Sequence, residues 1–225
     1  MFDGTAGQID AVSRQVSQRP HAGAEAKVAT LTQTYDAGIE DVWDACTTAE
    51  RLPRWFLPVS GELRLGGKYQ LEGNAGGEVL ECEPPSRFSV TWEYNGEVSW
   101  VDVRLSEQAG RTTLVLEHLA HVDDERWNEF GPGAVGVGWD LSLLALRHHL
   151  DGAPAVDPKQ LEEWYGTADA KKFMTRSSED WCRAQIESGT PEETARGAAD
   201  RTTAAYTGTG PSADPAAADT GADPA

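Results

Sequence analysis

The sequence predicts an α+β fold in which a curved antiparallel sheet closes around one long helix, with further helices following it. Three observations carry this reading. Short alternating segments, joined by Gly- and Pro-rich turns, run from residue 61 to 119. A helical pattern precedes them, between a first strand and the rest. The stretch 131–150, GPGAVGVGWDLSLLALRHHL, then places Val135, Trp139, Leu143, Leu146 and Leu150 three or four apart, on one helical face.

Composition narrows the function classes. The chain has 225 residues, 39% of them apolar and 8 of them Trp, enough for a sizeable core. Its net charge of −18 argues against a basic face for nucleic acid or anionic membrane. Residues 28–150 alone carry 9 basic against 20 acidic side chains, so the acidity belongs to the domain itself. Cys46, Cys82 and Cys182 form neither a CxxC motif nor an even set, which fits reduced thiols. Residues 1–27 hold no apolar leader, and no later run approaches about 18 apolar residues. A soluble, cytoplasmic protein with no membrane or nucleic-acid partner is expected.

Taken in order, residues 1–26 are polar and small and read as a mobile arm, with a little helix over 9–16. Residues 28–35, VATLTQTY, alternate and are β-branched, so they read as a strand. Ile39, Val42, Trp43 and Cys46 share a helical face, with acidic residues in the early turns where the dipole favours them. A second short helix is predicted over 49–55. Strands are predicted over 61–65, 68–72, 78–83, 87–94, 98–106 and 112–119, and Asn95-Gly96 is the strongest hairpin signal among their turns. Short hairpins in succession mean an antiparallel meander. In the long helix, Pro132 suits the first turn, and Gly136 and Gly138 suggest a close backbone approach or room left beside it. Beyond Pro154 and Pro158, helices are predicted from 157, over 170–187, and from Thr190-Pro191-Glu192-Glu193, where Thr190 would cap. The domain reading is an arm over 1–26, a domain over 27–151, a helical extension over 152–206 and a disordered tail over 207–225.

The segments VWDACTTAERLPRWFLP (42–58), LRLGGKYQLEG (63–73), GEVLECEPPSRFSVTWEY (77–94) and RTTLVLEH (111–118), followed by the long helix with its Trp, come in a telling order. In that order and spacing the chain resembles the heat shock protein 90 ATPase activator homologue (AHSA-type) family. That family belongs to the START / birch-pollen-allergen-like superfamily of helix-grip domains, also labelled SRPBCC or polyketide cyclase-like. The resemblance covers about residues 28–150 and carries no catalytic signature. It implies a helix-grip fold, a curved sheet gripping a C-terminal helix with a cavity between them.

Alternation puts Phe88, Val90, Trp92 and Tyr94 on one strand face, and Leu114, Leu116 and His118 on another. Together with Trp55, Phe56, Trp139 and Leu143 these could line one apolar cavity, as small-molecule sites do. Each could equally be ordinary core. The candidate ligand-binding set is Trp55, Phe56, Val90, Trp92, Tyr94, Leu116, His118, Trp139 and Leu143. His118 and His121 lie near Asp123, Asp124 and Glu125, but the spacing is no recognised metal pattern, so no metal is assigned. His148 and His149 end the long helix, where a cation suits the dipole. Glu78, Glu93, Asp102 and Glu117 lie on strands; facing an apolar cavity, one could act as acid or base, but solvated carboxylates are commoner. No nucleophile triad or phosphate-cradling loop is present, so no cofactor and no catalytic residue is assigned. The expected function is binding of a small hydrophobic molecule without strong catalysis. The alternatives are a cyclase- or lyase-type enzyme using Glu78 or Glu93 with His118, and a co-chaperone-like module with a protein partner docking through residues 152–206.

Overall fold

Eight strands form one antiparallel sheet in the order β1-β2-β8-β7-β6-β5-β4-β3. The computed structural model describes residues 5–155 and 157–209. Strands β1 (Ser13–His21) and β2 (Ala24–Tyr35) pair as a hairpin at one edge. Helix α2 (Ile39–Thr47) and a single 3-10 turn (Leu52–Arg54) follow. The meander then runs through β3 (Val59–Gly61), β4 (Lys68–Leu71), β5 (Gly76–Glu83), β6 (Arg87–Tyr94), β7 (Glu97–Gln108) and β8 (Arg111–Ala120), which returns to pair with β2. Three hairpins turn on two residues each, Ala22-Gly23, Asn95-Gly96 and Ala109-Gly110, all with positive φ. Two left-handed residues in succession match the twist of the flanking strands and fix the register across the turn.

One face of the sheet holds α4 (Gly133–Leu150). Alternation selects that face: Ala29 and Leu31 on β2, Val101 and Val103 on β7, and Leu114 and Leu116 on β8 are buried in one cluster with Leu143 and Leu146 of α4. This α+β, helix-grip arrangement is the predicted fold class. Helices α5 (Pro158–Tyr165), α6 (Ala168–Glu187) and α7 (Glu192–Thr207) complete the described chain. Their Trp164, Phe173, Met174 and Trp181 join the same buried cluster, so the extension is part of the domain core.

Several expectations are corrected. The arm over 1–26 is not free over its described part: α1 (Thr5–Asp10) and β1 occupy it. β1 escapes detection because only Val16 of its inward residues is apolar, while Arg14, its side chain 4% exposed and paired with Asp140 and Asp180, takes the other core position. A strand pattern reads poorly when a cation takes an apolar position. The helix over 49–55 shrinks to the 3-10 turn containing Pro53, and the strand over 61–65 moves to Val59–Gly61. A helix α3 (Asp124–Phe130) stands where no element was predicted. The N-cap of α7 is Pro191, with no side-chain cap, so Thr190 does not play that part. Val135 is 39% exposed and leaves the predicted face of α4. α4 is instead buried on two sides. The side bearing Gly136 meets α6 so closely that a Cβ on Gly136 would lie 2.2 Å from Trp181 Cε2. The expected tail lies, from residue 210 onward, outside the described residues.

Candidate functional site

Between the sheet and α4 lies a cavity of about 140 Å³. Strands β6 and β8 supply Phe88, Val90, Trp92, Leu114 and Leu116; α4 supplies Trp139, Ser142, Leu143 and Leu146. The segment after α2 closes it with Leu52, Trp55, Phe56, Val59 and Leu63. Phe88, Val90 and Trp92 are only half-buried although they point inward, because they face this space rather than packed atoms. Ring contacts run along one wall: Trp55 to Phe56 at 5.4 Å between centroids, Phe56 to Trp139 at 6.2 Å, and Trp139 to Trp92 at 5.2 Å.

The hydroxyls of the lining residues and two of their three indoles are bonded to other protein groups. Trp55 Nε1 donates to the Ala45 carbonyl at 2.9 Å and Tyr69 Oη to the Thr91 carbonyl at 2.7 Å. Thr47 and Ser142 bond back to the carbonyls of Trp43 and Gly138, one helical turn earlier. Such back-bonding leaves methyl and methylene groups to the cavity. The thiols of Cys46 and Cys82 also line it. Burial pushes the Cys46 thiol up to about 12, so it stays protonated and is no nucleophile. Carboxylates, lysines and arginines are absent from the lining among the described residues.

Seven of the nine predicted ligand-binding residues are brought together here: Trp55, Phe56, Val90, Trp92, Leu116, Trp139 and Leu143. Tyr94 and His118 are not in the lining. Tyr94 sits at the end of β6, next to the Asn95-Gly96 turn, beyond the reach of the cavity. His118 lies behind the rings of Trp92 and Trp139, with centroids 6.2 and 6.0 Å away. Alternation along β4, β5 and β7 would have added Tyr69, Leu71, Val79, Val101 and Val103, all of which line the space. Cys82 was beyond that signal. A register shift between Val79 and Glu81 inserts an extra residue in β5, and the parity of the strand flips. Such a bulge re-aims every later side chain.

His118 is buried and carries two hydrogen bonds. Trp139 Nε1 donates to its Nδ1 at 2.9 Å, and its Nε2 lies 3.0 Å from Ser99 Oγ. An indole N–H can only donate, so Nδ1 must accept and the ring proton sits on Nε2. Ser99 Oγ in turn donates to the Trp92 carbonyl at 3.1 Å. Burial lowers the pKa of His118 to about 4, and the ring is neutral at pH 7.

The other candidates resolve into structural roles. Asp123 caps α3 by accepting the Arg126 N–H at 2.8 Å, with Asp124 and Glu125 in the favoured first turn. His121 Nε2 is 2.9 Å from the His21 carbonyl oxygen. His149 Nε2 accepts from the Arg51 guanidinium at 3.0 Å, and burial, then Arg51, lowers its pKa. Glu93 is exposed and accepts from Thr91 Oγ1, and Glu78 is outside the lining. Asp102 and Glu117 lie on the outer sheet face in a ladder with Arg19, Arg87 and Arg104. The bond from Arg19 holds the Glu117 carboxyl below its ordinary range. None of the four carboxylates proposed for acid–base work faces the cavity. Among the described residues no group of three or more His, Cys, Asp or Glu is placed to hold a metal ion. No helix among them is long and apolar enough to cross a membrane.

The chain is similar to several solved structures. CalU16 from Micromonospora echinospora matches in its crystal structure with 33% identity and a TM-score of 0.62, over 77% of this chain and 98% of that one. Its solution NMR structure matches with 34% identity and a TM-score of 0.65, over 80% and 97%. DynU16, from the dynemicin biosynthetic locus, shares the fold at 22% identity and a TM-score of 0.50, over 56% of this chain and 48% of that one. No curated protein matches. Residues 36–151 match the family model described as Activator of Hsp90 ATPase homolog 1-like protein. With half of its length under that model, and with the grip of sheet on helix and the cavity between them, the chain belongs to the Activator of Hsp90 ATPase homolog 1-like family.

Proposed function

We propose that this protein binds a small apolar molecule in the cavity between its sheet and α4, and that the cavity performs no acid–base chemistry on it. One observation carries the reading: an apolar space of about 140 Å³ in which the lining hydroxyls and the indoles of Trp55 and Trp139 are already bonded elsewhere. An apolar cavity of about 150 Å³ stays dry and takes a ligand of benzene size. The ligand is therefore a compact hydrocarbon-like body. A buried cation is disfavoured because no carboxylate in the lining offsets its desolvation. The absence of carboxylates and imidazoles from the lining, among the described residues, weighs against the lyase-type alternative, since Glu78, Glu93 and His118 stand outside it.

Toluene and naphthalene titrations, followed by Trp fluorescence, test this. Saturable quenching that disappears when the cavity is filled by Leu116→Trp is expected. A wild-type protein that binds neither probe, while Trp92→Ala opens a site that does, would make Trp92 a core plug and overturn the reading.

A protein partner is the second reading, and the family description, which names an ATPase activator, favours it. Residues 152–206 would then dock with polar surface, since Trp164, Phe173 and Trp181 are turned inward.

A further inference from the structure

We infer that His118 is the positioning residue of the cavity: by accepting the indole N–H of Trp139, it fixes the end wall and so decides which ligand shape is admitted. This rests on the cavity-binding reading above. The argument starts from the wall itself. Trp139 and Trp92 meet edge to face with centroids 5.2 Å apart and an interplanar angle of 60°, and both line the space. An indole in an apolar wall has two needs: its ring must be held in one rotamer and its N–H must find an acceptor. Trp139 projects from α4 across to the sheet, where β8 offers His118 directly behind it. The acceptor is a single lone pair on Nδ1, so it also dictates the ring plane.

The imidazole is held in turn from the sheet. Its Nε2–H points to Ser99 Oγ at 3.0 Å, and Ser99 donates to the carbonyl of Trp92 at 3.1 Å. The chain of bonds therefore begins on one wall residue and ends on the backbone of the other. It joins α4, β8, β7 and β6 and leaves no donor over. Burial is the cause of the lowered His118 pKa. His118 does not line the space itself, so it acts through Trp139 and Trp92.

Glutamine can repeat the pattern, its Oε1 accepting from Trp139 and its Nε2 donating to Ser99; leucine can do neither. Two measurements are made on wild type, His118→Gln and His118→Leu. The first is hydrogen exchange of the indole N–H groups by NMR, with the Trp139 signal identified through Trp139→Phe. Protection of that signal in the wild type and in His118→Gln, with at least a tenfold loss in His118→Leu, is expected. The second is the ratio of toluene to naphthalene affinity, expected to hold within twofold in His118→Gln and to change at least fivefold in His118→Leu. Equal protection in all three proteins, an unchanged ratio in His118→Leu, or a His118→Gln that behaves like His118→Leu would overturn the inference. A wild type that binds neither probe but shows the exchange pattern sinks the binding reading and leaves the Trp139 anchor standing. Should His118→Leu not fold, Ser99→Ala removes the partner that holds the Nε2–H tautomer and is expected to lower Trp139 protection; unchanged protection would again overturn it.

Discussion

Arg14 and Asp140 meet inside the protein, with Nη2 2.8 Å from Oδ1 and Nε 3.0 Å from Oδ2, although 126 residues separate them in the chain. Asp140 also accepts from Ser177 Oγ at 2.6 Å and Trp181 Nε1 at 3.1 Å, and Arg14 bonds Asp180 at 3.1 Å. One carboxylate thus ties the edge strand β1 to α4 and to α6. Burial raises the pKa of Asp140, while Arg14 and the two neutral donors pull it back down.

Removing one partner of a buried pair leaves an uncompensated charge and costs about 3–5 kcal/mol. Asp140→Ala leaves Arg14 only Asp180 and strands the Ser177 and Trp181 donors, so a loss at the low end of that range is expected in urea unfolding. Arg196→Ala, which breaks the exposed and solvent-screened pair with Glu192, should lose far less. Equal losses would mean that the buried pair is no stronger than a surface one.

Gly136→Ala opposes two effects. Alanine gains about 1 kcal/mol in helix propensity. The added Cβ would lie 2.2 Å from the buried Trp181 ring, and overpacking costs about 1–3 kcal/mol. A net loss is expected in the wild type and a net gain in a Trp181→Ala background, where the obstacle is gone. Thermal unfolding of the four proteins in the cycle decides it.

His118 predicts a pH dependence with a definite sign. Its folded pKa of about 4 lies below the ordinary 6.5, so between these values the unfolded chain binds more protons. Stability therefore rises with pH across that window, is fully present above about 6.5, and is lost as pH falls toward 4. The full effect is about 3 kcal/mol by the usual conversion of 1.36 kcal/mol per unit. Urea unfolding at pH 7.5 and 4.5, wild type minus His118→Gln, isolates it from the carboxylates. A difference independent of pH would show that His118 is not desolvated.

Trp92 and Trp164 separate packing from binding. Both are large aromatics held by the core cluster, but Trp92 lines the cavity and Trp164 does not. Trp164→Ala is expected to cost about 3–5 kcal/mol, and Trp92→Ala, at a half-buried site, less. Trp92→Ala alone should alter probe affinity at a fixed folded fraction. A matching change in Trp164→Ala would place the probe elsewhere.

Much of this was legible in the chain. The period of two in residues 87–94 and 112–119 gave strands with the right inward faces, and Asn95-Gly96 gave the hairpin between β6 and β7. Helical spacing after Pro132 gave α4, and most of the aromatic and aliphatic residues chosen for a cavity do meet in one. These are local signals, since each follows from one element having one buried face. Tertiary structure decided the rest. β1 was hidden because one of its inward residues, Arg14, is a cation whose partners lie on α4 and α6. The second buried side of α4 needed α6 to exist before Gly136 had a meaning. Cys82 entered the cavity through a bulge, and His118 left the lining because the Trp139 ring stands in front of it. In each case the deciding contact joins elements far apart in sequence, and no local period records a partner that only folding supplies.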